Sequence, residues 1–504
     1  MKHPAMDSMA SEASRETEAI LLEKGRIVDG SGEESWIGDV LIVGDRIQAV
    51  GLDLRNELPS GVKKDRVGFV NCEGLVVAPG FIDAHTHDDA IVLHHPAYLA
   101  KVSQGITTVI TGNCGISLVP YKTEVAQASL TLLGPGSFAY PTMAAYREAV
   151  TEAKPSLNVA ALVGHTTLRY AVMDDLERAA TAEERIRMAQ LLDECLADGA
   201  HGLSSGLFYA EAMPAPASEV TALAHVVARH GGVYATHMRT EMDAILEAMH
   251  EASDCAFEAG IPLIISHHKC AGPSQWGRSK ETLPLIDRLA ERQQLAFDVY
   301  PYVAGSTVLR EDLVDGVIDV MLTWSDPHPE CAGRLLSDIA ADWNVDQKTA
   351  CLRLQPGGAS YFQMNEEDVA RIVSHPRAMI GSDGLPHDRH PHPRLWGTFP
   401  RVFSHYWRER KLFSLEQAVH KMTGLTARNF RIEERGVLRG GAYADICIFD
   451  SSRIADIATY ADPERLSVGV VAVYVNGQLT YEEGGKILAS RGRMLTRGNS
   501  SRQK

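Results

Sequence analysis

The chain has 504 residues and a formal net charge of −16, and 45% of its residues are hydrophobic. Its length predicts either two or three domains or one large barrel with additions. The acidic balance argues against a nucleic-acid-binding protein, and eight scattered cysteines without a Cys-x-x-Cys argue against a disulfide framework or a zinc knuckle.

Polar tails flank the predicted folded region. Residues 1–17 are polar and lack the apolar core of a signal peptide, and residues 491–504 form a basic tail that we expect to be disordered. We find no apolar run of membrane length. These features predict a cytoplasmic protein without a membrane partner, and they leave the oligomeric state open.

Short strands are predicted near both ends of the chain. Residues 19–30 have the pattern of one hairpin-like unit, and residues 39–51 that of another with a Gly-Asp turn, which predicts a small antiparallel sheet. The strand pattern returns after residue 430, at residues 436–450 and 470–476. We predict that residues 18–79 and 430–490 form one small β-domain, a sandwich built from both chain ends.

Between these ends, residues 80–429 alternate strand-like and helical runs, which predicts parallel βα units and an α/β fold. The eight strand candidates are residues 80–87, 106–114, 158–165, 200–209, 233–239, 262–268, 296–302 and 377–383. Helices are predicted between them, for example at residues 182–197 and 218–230. Eight units in about 300 residues predict a TIM-like (β/α)8 barrel, with a doubly wound open sheet as the runner-up. The long segment between the last two strand candidates predicts an inserted subdomain at residues 307–370, and such insertions often act as lids.

Potential metal ligands stand where the barrel strand candidates end. His85 and His87 would share one face of the first strand, because alternate side chains of a strand point the same way. Cys114, His237, His267 and Asp383 end four further strand candidates. Catalytic residues of barrels lie at these carboxyl ends. Because imidazole and thiolate ligands favour zinc, the pattern predicts a zinc site.

The strand-end motifs resemble those of the N-acyl-D-amino-acid deacylases (D-aminoacylases), within the amidohydrolase superfamily, over about residues 18–490. The motifs are Gly112-Asn113-Cys114-Gly115, Ser204-Ser205-Gly206-Leu207-Phe208-Tyr209, Thr236-His237-Met238-Arg239, Ser266-His267-His268-Lys269, Tyr300-Pro301-Tyr302 and Gly381-Ser382-Asp383-Gly384. Many hydrolases of this superfamily carry a carboxylated lysine on strand four, but residues 200–209 contain no lysine. The resemblance points instead to the branch with a cysteine after strand two, here Cys114.

The resemblance implies a zinc-dependent hydrolase that cleaves N-acyl-D-amino acids into a carboxylate and a free D-amino acid. The implied ligands are Cys114, His237 and His267 for a tightly held zinc, and His85, His87, Cys114 and Asp383 for a second, weaker site. Asp383 resembles the general base that takes a proton from metal-activated water and passes it to the leaving amine. Lys269, Tyr300 and Ser306 resemble the residues that hold the substrate α-carboxylate, and a cation with hydroxyl donors suits that group.

Two other functions stay open. A cyclic amidase of the hydantoinase or dihydroorotase type is disfavoured by Cys114 and by the missing strand-four lysine. A non-catalytic scaffold on the same barrel is disfavoured because all six potential ligands are present. The preference for D over L rests on the resemblance alone. The substrate side chain, the acyl group and the number of catalytic zinc ions remain undetermined.

Residues beside these motifs allow more than one interpretation. Asp88 and Asp89 either orient the histidines or begin a polar loop. Tyr300 and Tyr302 share a strand face, so both would line the site or both would pack in the core. Arg310 could reach the side-chain carboxylate of an acidic substrate. We expect core histidines at positions 165 and 201, and a polar rim loop with histidines at positions 387, 390 and 392.

Overall fold

The structure is a computed structural model that describes residues 18–56, 58, 66–134, 136 and 138–497. The predicted tail at 1–17 and residues 498–504 of the basic tail lie outside the described residues. The strands are β1 (Ala19–Ile27), β2 (Trp36–Val43), β3 (Arg46–Gly51), β4 (Val67–Asn71), β5 (Val76–Pro79), β6 (Phe81–Asp83), β7 (Ile106–Thr111), β8 (Tyr121–Thr123), β9 (Phe138–Tyr140), β10 (Asn158–Gly164), β11 (Gly202–Gly206), β12 (Val233–His237), β13 (Leu263–Ile265), β14 (Leu295–Val299), β15 (Gly305–Val308), β16 (Val320–Ser325), β17 (Gly357–Tyr361), β18 (Ala378–Ile380), β19 (Ile446–Phe449), β20 (Val470–Val475), β21 (Gln478–Glu482) and β22 (Lys486–Ile487).

Helices connect most of these strands. The α-helices span Ile91–His94, Leu99–Val102, Met143–Ala153, His165–Val172, Ala182–Ala197, Ala217–His230, Ile245–Ala259, Ser279–Ala290, Leu336–Asp342, Gln347–Leu354, Glu366–Ser374, Arg394–Arg401, Leu415–Met422 and Gly424–Asn429, and a π-helix spans Val402–Glu409. The helix over 182–197 has its predicted bounds, because Thr181 and Glu184 form a capping box at its start. Among the described residues, no helix combines the length and apolar character that a membrane crossing requires.

Eight parallel strands form the predicted barrel. They follow one another in the order β6, β7, β10, β11, β12, β13, β14 and β18. The first and last strands meet at a seam, where Ala84 N donates to Ile380 O at 3.1 Å and Asp383 N donates to His85 O at 2.8 Å. Every residue of β7 and β10 is buried, as is typical of parallel strands covered on both faces. The TIM-like fold is therefore confirmed, and it brings the carboxyl ends of all eight strands to one face.

A second sheet combines strands from both ends of the chain. Its nine strands run in the order β22, β21, β20, β19, β5, β1, β2 and β3, with β4 paired to β1. The pairing of β5 with β19 joins the two ends, as predicted. The predicted hairpin at residues 19–30 is instead the single strand β1, which pairs in parallel with β4 and β5. The predicted sandwich therefore takes the form of one continuous mixed sheet.

Two further parts of the chain pack on this frame. Between β14 and β18, strands β15, β17 and β16 form a small sheet with helices Leu336–Asp342 and Gln347–Leu354 beside it. At the other end of the chain, Leu495 N donates to Val159 O at 2.7 Å, and Val159 N donates to Arg493 O at 3.0 Å. The expected disorder is therefore wrong for residues 491–497, because their backbone pairs with β10.

Candidate functional site

Most of the predicted site residues lie just beyond the barrel strands. His237 ends β12, whereas β6 ends at Asp83, before His85 and His87. The expectation that these two histidines share a face of a regular strand is therefore wrong, although both face the same centre. Cys114, His267 and Asp383 have φ angles of 54°, 36° and 50°. Such left-handed backbone is costly for non-glycine residues and is typical of functional sites.

Cys114, His237 and His267 form one potential metal-binding group. The Sγ atom of Cys114 lies 3.4 Å from Nε2 of His267, and Nδ1 of His237 lies 3.1 Å from the same nitrogen. All three side chains are buried, and their candidate ligand atoms lie within 4.8 Å of one another. One sulfur and two ring nitrogens thus converge on a single point.

A second group shares Cys114 with the first. His85, His87, Cys114 and Asp383 bring their candidate ligand atoms within 4.8 Å of one another. Nε2 of His85 lies 3.2 Å from Cys114 Sγ, and Nε2 of His87 lies 3.3 Å from Asp383 Oδ1. Since Cys114 belongs to both groups, its sulfur could serve as a ligand in either of them.

Carboxylates contact the Nδ1 atoms of two of these histidines, on the side of the ring away from the centre. Nδ1 of His85 lies 3.3 Å from Asp298 Oδ1, and Nδ1 of His267 lies 3.0 Å from Glu241 Oε1. A proton on each Nδ1 leaves the lone pair of Nε2 facing the centre, which is the arrangement that metal-binding histidines need. Gly381 makes room for the first pair, because a Cβ there would lie 2.6 Å from His85 Cβ.

Neighbouring charges favour the ionised forms of Cys114 and Asp383. Burial raises the pKa of the Cys114 thiol, but charge on His85 and His267 outweighs it and holds that pKa well below its ordinary value. Burial also opposes ionisation of Asp383, yet Arg394 and His85 keep its pKa well below the usual range. The centre therefore presents a thiolate and a carboxylate, which are the forms that bind cations.

The three residues predicted to hold a carboxylate line one pocket beside these groups. Lys269 Nζ donates to Glu241 Oε1 at 2.5 Å. The buried Tyr300 hydroxyl has no hydrogen-bond partner among the described residues, and Ser306 Oγ donates only weakly, to Ala359 O at 3.3 Å. The prediction that Tyr300 and Tyr302 share a strand face is wrong, because β14 ends at Val299, before both residues. Tyr302 packs on the ring of His392 instead.

Arg394 lies behind the lining of this pocket and was not predicted from the sequence. Its guanidinium is fully buried, with Nη1 2.9 Å from Asp383 Oδ2 and Nη2 donating to Ser306 O at 3.0 Å. The guanidinium carbon lies 4.5 Å from the Tyr300 ring centroid, and Nε has no hydrogen-bond partner among the described residues. A second cation thus stands between the carboxylate of Asp383 and the predicted α-carboxylate residues.

Asp88 and Asp89 do not contact the histidines. Asp89 Oδ2 accepts from Gly112 N at 3.2 Å, and Asp88 accepts from the Tyr98 hydroxyl at 2.9 Å. The buried Lys101 lies 3.3 Å from Asp88 Oδ2 and donates to Ser382 Oγ at 2.6 Å. These carboxylates therefore anchor the loops that carry Cys114 and Asp383.

The remaining histidines lie away from the centre. His165 Nε2 lies 2.9 Å from Glu219 Oε1, and His201 Nδ1 lies 3.1 Å from Phe430 O, so both are core residues as expected. His390 and His392 contact the backbone oxygens of Tyr460 and Ala304. They hold the rim loop in place.

Comparison with known proteins places the chain in a family. The model of the amidohydrolase family matches residues 68–319 and 332–481. The chain belongs to the amidohydrolase family. A D-aminoacylase from Alcaligenes xylosoxydans xylosoxydans is 46% identical to this amidohydrolase over 479 residues, which cover 95% of this chain and 97% of that protein. An N-acyl-D-aspartate deacylase from the same organism is 46% identical over 477 residues, 94% of each chain.

A solved structure extends the similarity to the whole fold of this amidohydrolase. The N-acyl-D-glutamate deacylase from Bordetella bronchiseptica matches with a TM-score of 0.89 and 42% identity, covering 96% of this chain and 100% of that chain. That structure is complexed with zinc and with a phosphonate inhibitor that mimics the tetrahedral intermediate of the reaction.

Proposed function

We propose that the chain is a zinc-dependent hydrolase of N-acyl-D-amino acids that releases a carboxylate and a free D-amino acid. The observation that carries the proposal is the shared Cys114 centre, with Asp383 on one side and a pocket that contains Lys269 next to it. Three relatives that match over nearly their whole length are deacylases of N-acyl-D-amino acids or a D-aminoacylase. The preference for the D-enantiomer is taken from these relatives.

The donor set fits zinc. We assign the tightly held ion to Cys114, His237 and His267, and a second, weaker ion to His85, His87, Cys114 and Asp383. Ligand atoms 3.1 and 3.4 Å apart are close to the separation of about 3.3–3.7 Å that tetrahedral zinc imposes on nitrogen and sulfur ligands. A bound zinc ion lowers the pKa of its water towards neutrality and polarises the amide carbonyl.

The contacts of Asp383 support a role for this residue in the proton transfer of the hydrolysis. Its Oδ1 faces His87, whereas its Oδ2 is held by Arg394. We propose that Asp383 takes a proton from the attacking water and delivers it to the leaving amide nitrogen. Lys269, Tyr300 and Ser306 then hold the α-carboxylate of the small-molecule substrate, with the charge of Arg394 behind the Tyr300 ring, so that the scissile bond of the substrate lies beside Asp383.

Each part of the chain has a proposed role in the enzyme. We propose that residues 18–79 and 430–490 form a supporting β-domain, that residues 80–429 form the catalytic barrel, and that residues 307–370 act as its lid. The insertion supplies Leu313 and Tyr361 to the pocket wall, which supports a role at the site. We also propose a cytoplasmic location and no nucleic-acid partner.

A chelator experiment tests the function. Free amine is measured with N-acetyl-D-methionine, N-acetyl-D-aspartate and N-acetyl-D-glutamate, each beside its L-enantiomer, before and after zinc removal. We expect turnover of a D-substrate that a chelator abolishes and zinc restores. Turnover of hydantoin or dihydroorotate in place of the linear amides would favour the cyclic amidase. Zinc binding without turnover of any of them would favour the scaffold.

Replacing Glu241 with glutamine is expected to weaken zinc binding about 10–100-fold, because the carboxylate fixes the tautomer of His267. Burial raises the pKa of Glu241, but Lys269 and His267 outweigh it and hold that pKa below its ordinary value. Zinc affinity is measured by competition with a chromophoric chelator. Glu251→Gln is the matched control, because Glu251 pairs with Arg239 away from the centre. Equal affinities in the two variants would contradict the assigned role.

A further inference from the structure

One wall of the pocket is apolar and belongs to the core of the inserted subdomain. Phe208, Met242, Leu313 and Tyr361 line the cavity, and the same four residues pack with the apolar cluster of that subdomain. Leu313 and Tyr361 are 8% and 1% exposed. Side chains of this kind offer neither a charge nor a hydrogen-bond donor to a substrate, apart from the Tyr361 hydroxyl. That hydroxyl already donates to Val308 O at 3.3 Å.

Arg310 is held outside this wall. Its Nε and Nη2 donate to the two carboxylate oxygens of Asp312 at 2.9 and 2.7 Å, and its Nη1 donates to Phe208 O at 3.1 Å. The guanidinium carbon lies 4.2 Å from the Phe208 ring centroid. The same ring stacks on His237, with centroids 4.9 Å apart and planes 12° apart. Phe208 therefore separates Arg310 from the metal-binding histidine, and Asp312 neutralises its charge.

Few charges remain in the pocket for a substrate side chain. Among the described residues that line it, Lys269 is the one lysine or arginine, and Glu241 lies 2.5 Å from its Nζ. Arg394, behind the lining, pairs with Asp383. In the proposed function both cations serve the α-carboxylate. Thr307 and Gln363 also line the pocket but carry no charge, so a second carboxylate on the substrate would lack a cation of its own, and an unpaired buried charge is unfavourable.

We propose that this pocket selects N-acyl-D-amino acids with neutral, apolar side chains and discriminates against aspartate and glutamate derivatives. The wall of Phe208, Met242, Leu313 and Tyr361 sets this preference, and Arg310 takes no part in recognising the substrate. The inference rests on the proposed deacylase function and adds the side-chain class to it. It also revises the expectation that Arg310 reaches an acidic substrate.

Steady-state kinetics of the zinc-loaded enzyme test the preference. We compare kcat/KM for N-acetyl-D-leucine, N-acetyl-D-methionine, N-acetyl-D-aspartate and N-acetyl-D-glutamate. The neutral pair should exceed the acidic pair by at least about 100-fold. An equal or higher value for an acidic substrate would overturn the inference but leave the deacylase function intact. If none of the four compounds is hydrolysed, the proposed deacylase function is wrong. The side-chain preference is then tested by calorimetric titration with the same compounds. Tighter binding of an acidic compound than of a neutral one would overturn the inference.

Substitutions of Met242 separate the effect of charge on substrate preference from the effect of side-chain shape at the apolar wall. Met242→Lys adds a cation, and Met242→Gln is its uncharged control of similar length. Relative to the glutamine variant, the lysine variant should raise the ratio of acidic to neutral kcat/KM by at least about tenfold. Arg310→Ala should leave that ratio within about twofold of the wild type. Selective loss of acidic turnover in Arg310→Ala would show that Arg310 recognises the substrate, and would overturn the inference.

Discussion

Replacing Cys114 with serine is expected to remove the tightly held zinc and to lower kcat/KM for an N-acyl-D-amino acid by about three orders of magnitude. The thiol belongs to both potential metal-binding groups, so its loss weakens both. Zinc supplies several kcal/mol of transition-state stabilisation, and each 1.36 kcal/mol changes a rate tenfold. Zinc content is measured by atomic absorption and kcat/KM by amine release.

Serine is the sharpest replacement because it changes the ligand atom and little else. A hydroxyl stays protonated at neutral pH and is a poor zinc ligand, yet it keeps the size of the side chain and the same left-handed backbone. Cys255→Ser is the matched control, because Cys255 is also buried but lies in the helix Ile245–Ala259. Full zinc content and wild-type kinetics in Cys114→Ser would refute the ligand assignment.

The barrel could be predicted from the sequence because its evidence is local. Each of the eight predicted strands overlaps an observed one, since buried parallel strands are continuous apolar runs between helical segments. However, the observed barrel strands end at earlier residues than predicted. The predicted strand at 377–383 ends at Ile380, because Ser382 and Asp383 turn to meet the first strand. The predicted site residues lie on this irregular backbone, and the hydrophobic pattern of the sequence does not show where a strand gives way to it.

The partners of the site residues could not be predicted in the same way. Glu241 follows His237 by four positions, which was an available signal, but its contact with His267 and Lys269 depends on how β12 and β13 pack. Arg394 follows the rim loop that carries His387, His390 and His392, and the sequence pattern assigned it no role. Its approach to Asp383 requires the helix Arg394–Arg401 to start under the pocket. Such contacts are set by tertiary packing, and sequence spacing does not encode them.

Fold and site together explain why one pocket can bind a carboxylate and still exclude another. The cations lie where the barrel strands end, with Lys269 after β13 and Arg394 after β18. The apolar wall comes from Leu313 and Tyr361 of the insertion and from Phe208 and Met242, which pack on the apolar cluster of the insertion. We propose that the barrel strand ends supply the chemistry common to all substrates and that this wall distinguishes their side chains.

Asp383→Asn is expected to lower kcat about 10²–10⁴-fold while the zinc held by Cys114, His237 and His267 is retained. An amide cannot accept the proton of the attacking water, and general acid–base groups contribute rate factors of this size. Asparagine is preferable to alanine here, because Asp383 has a φ of 50° and asparagine tolerates left-handed backbone well. The measurements are kcat, KM and zinc stoichiometry on the same preparation.

The control must separate proton transfer from damage to the loop. Asp388 is on the same loop and is half-buried, and burial raises its pKa to about 7, so about half of it is already protonated at neutral pH before it is changed. Asp388→Asn should therefore keep kcat within about tenfold of the wild type. Loss of the zinc held by Cys114, His237 and His267 in Asp383→Asn would show that the carboxylate supports the tight metal site, and the fall in kcat could then not be assigned to proton transfer. Wild-type kcat with zinc retained would exclude it as the general base, because the reaction would then proceed without its proton transfer.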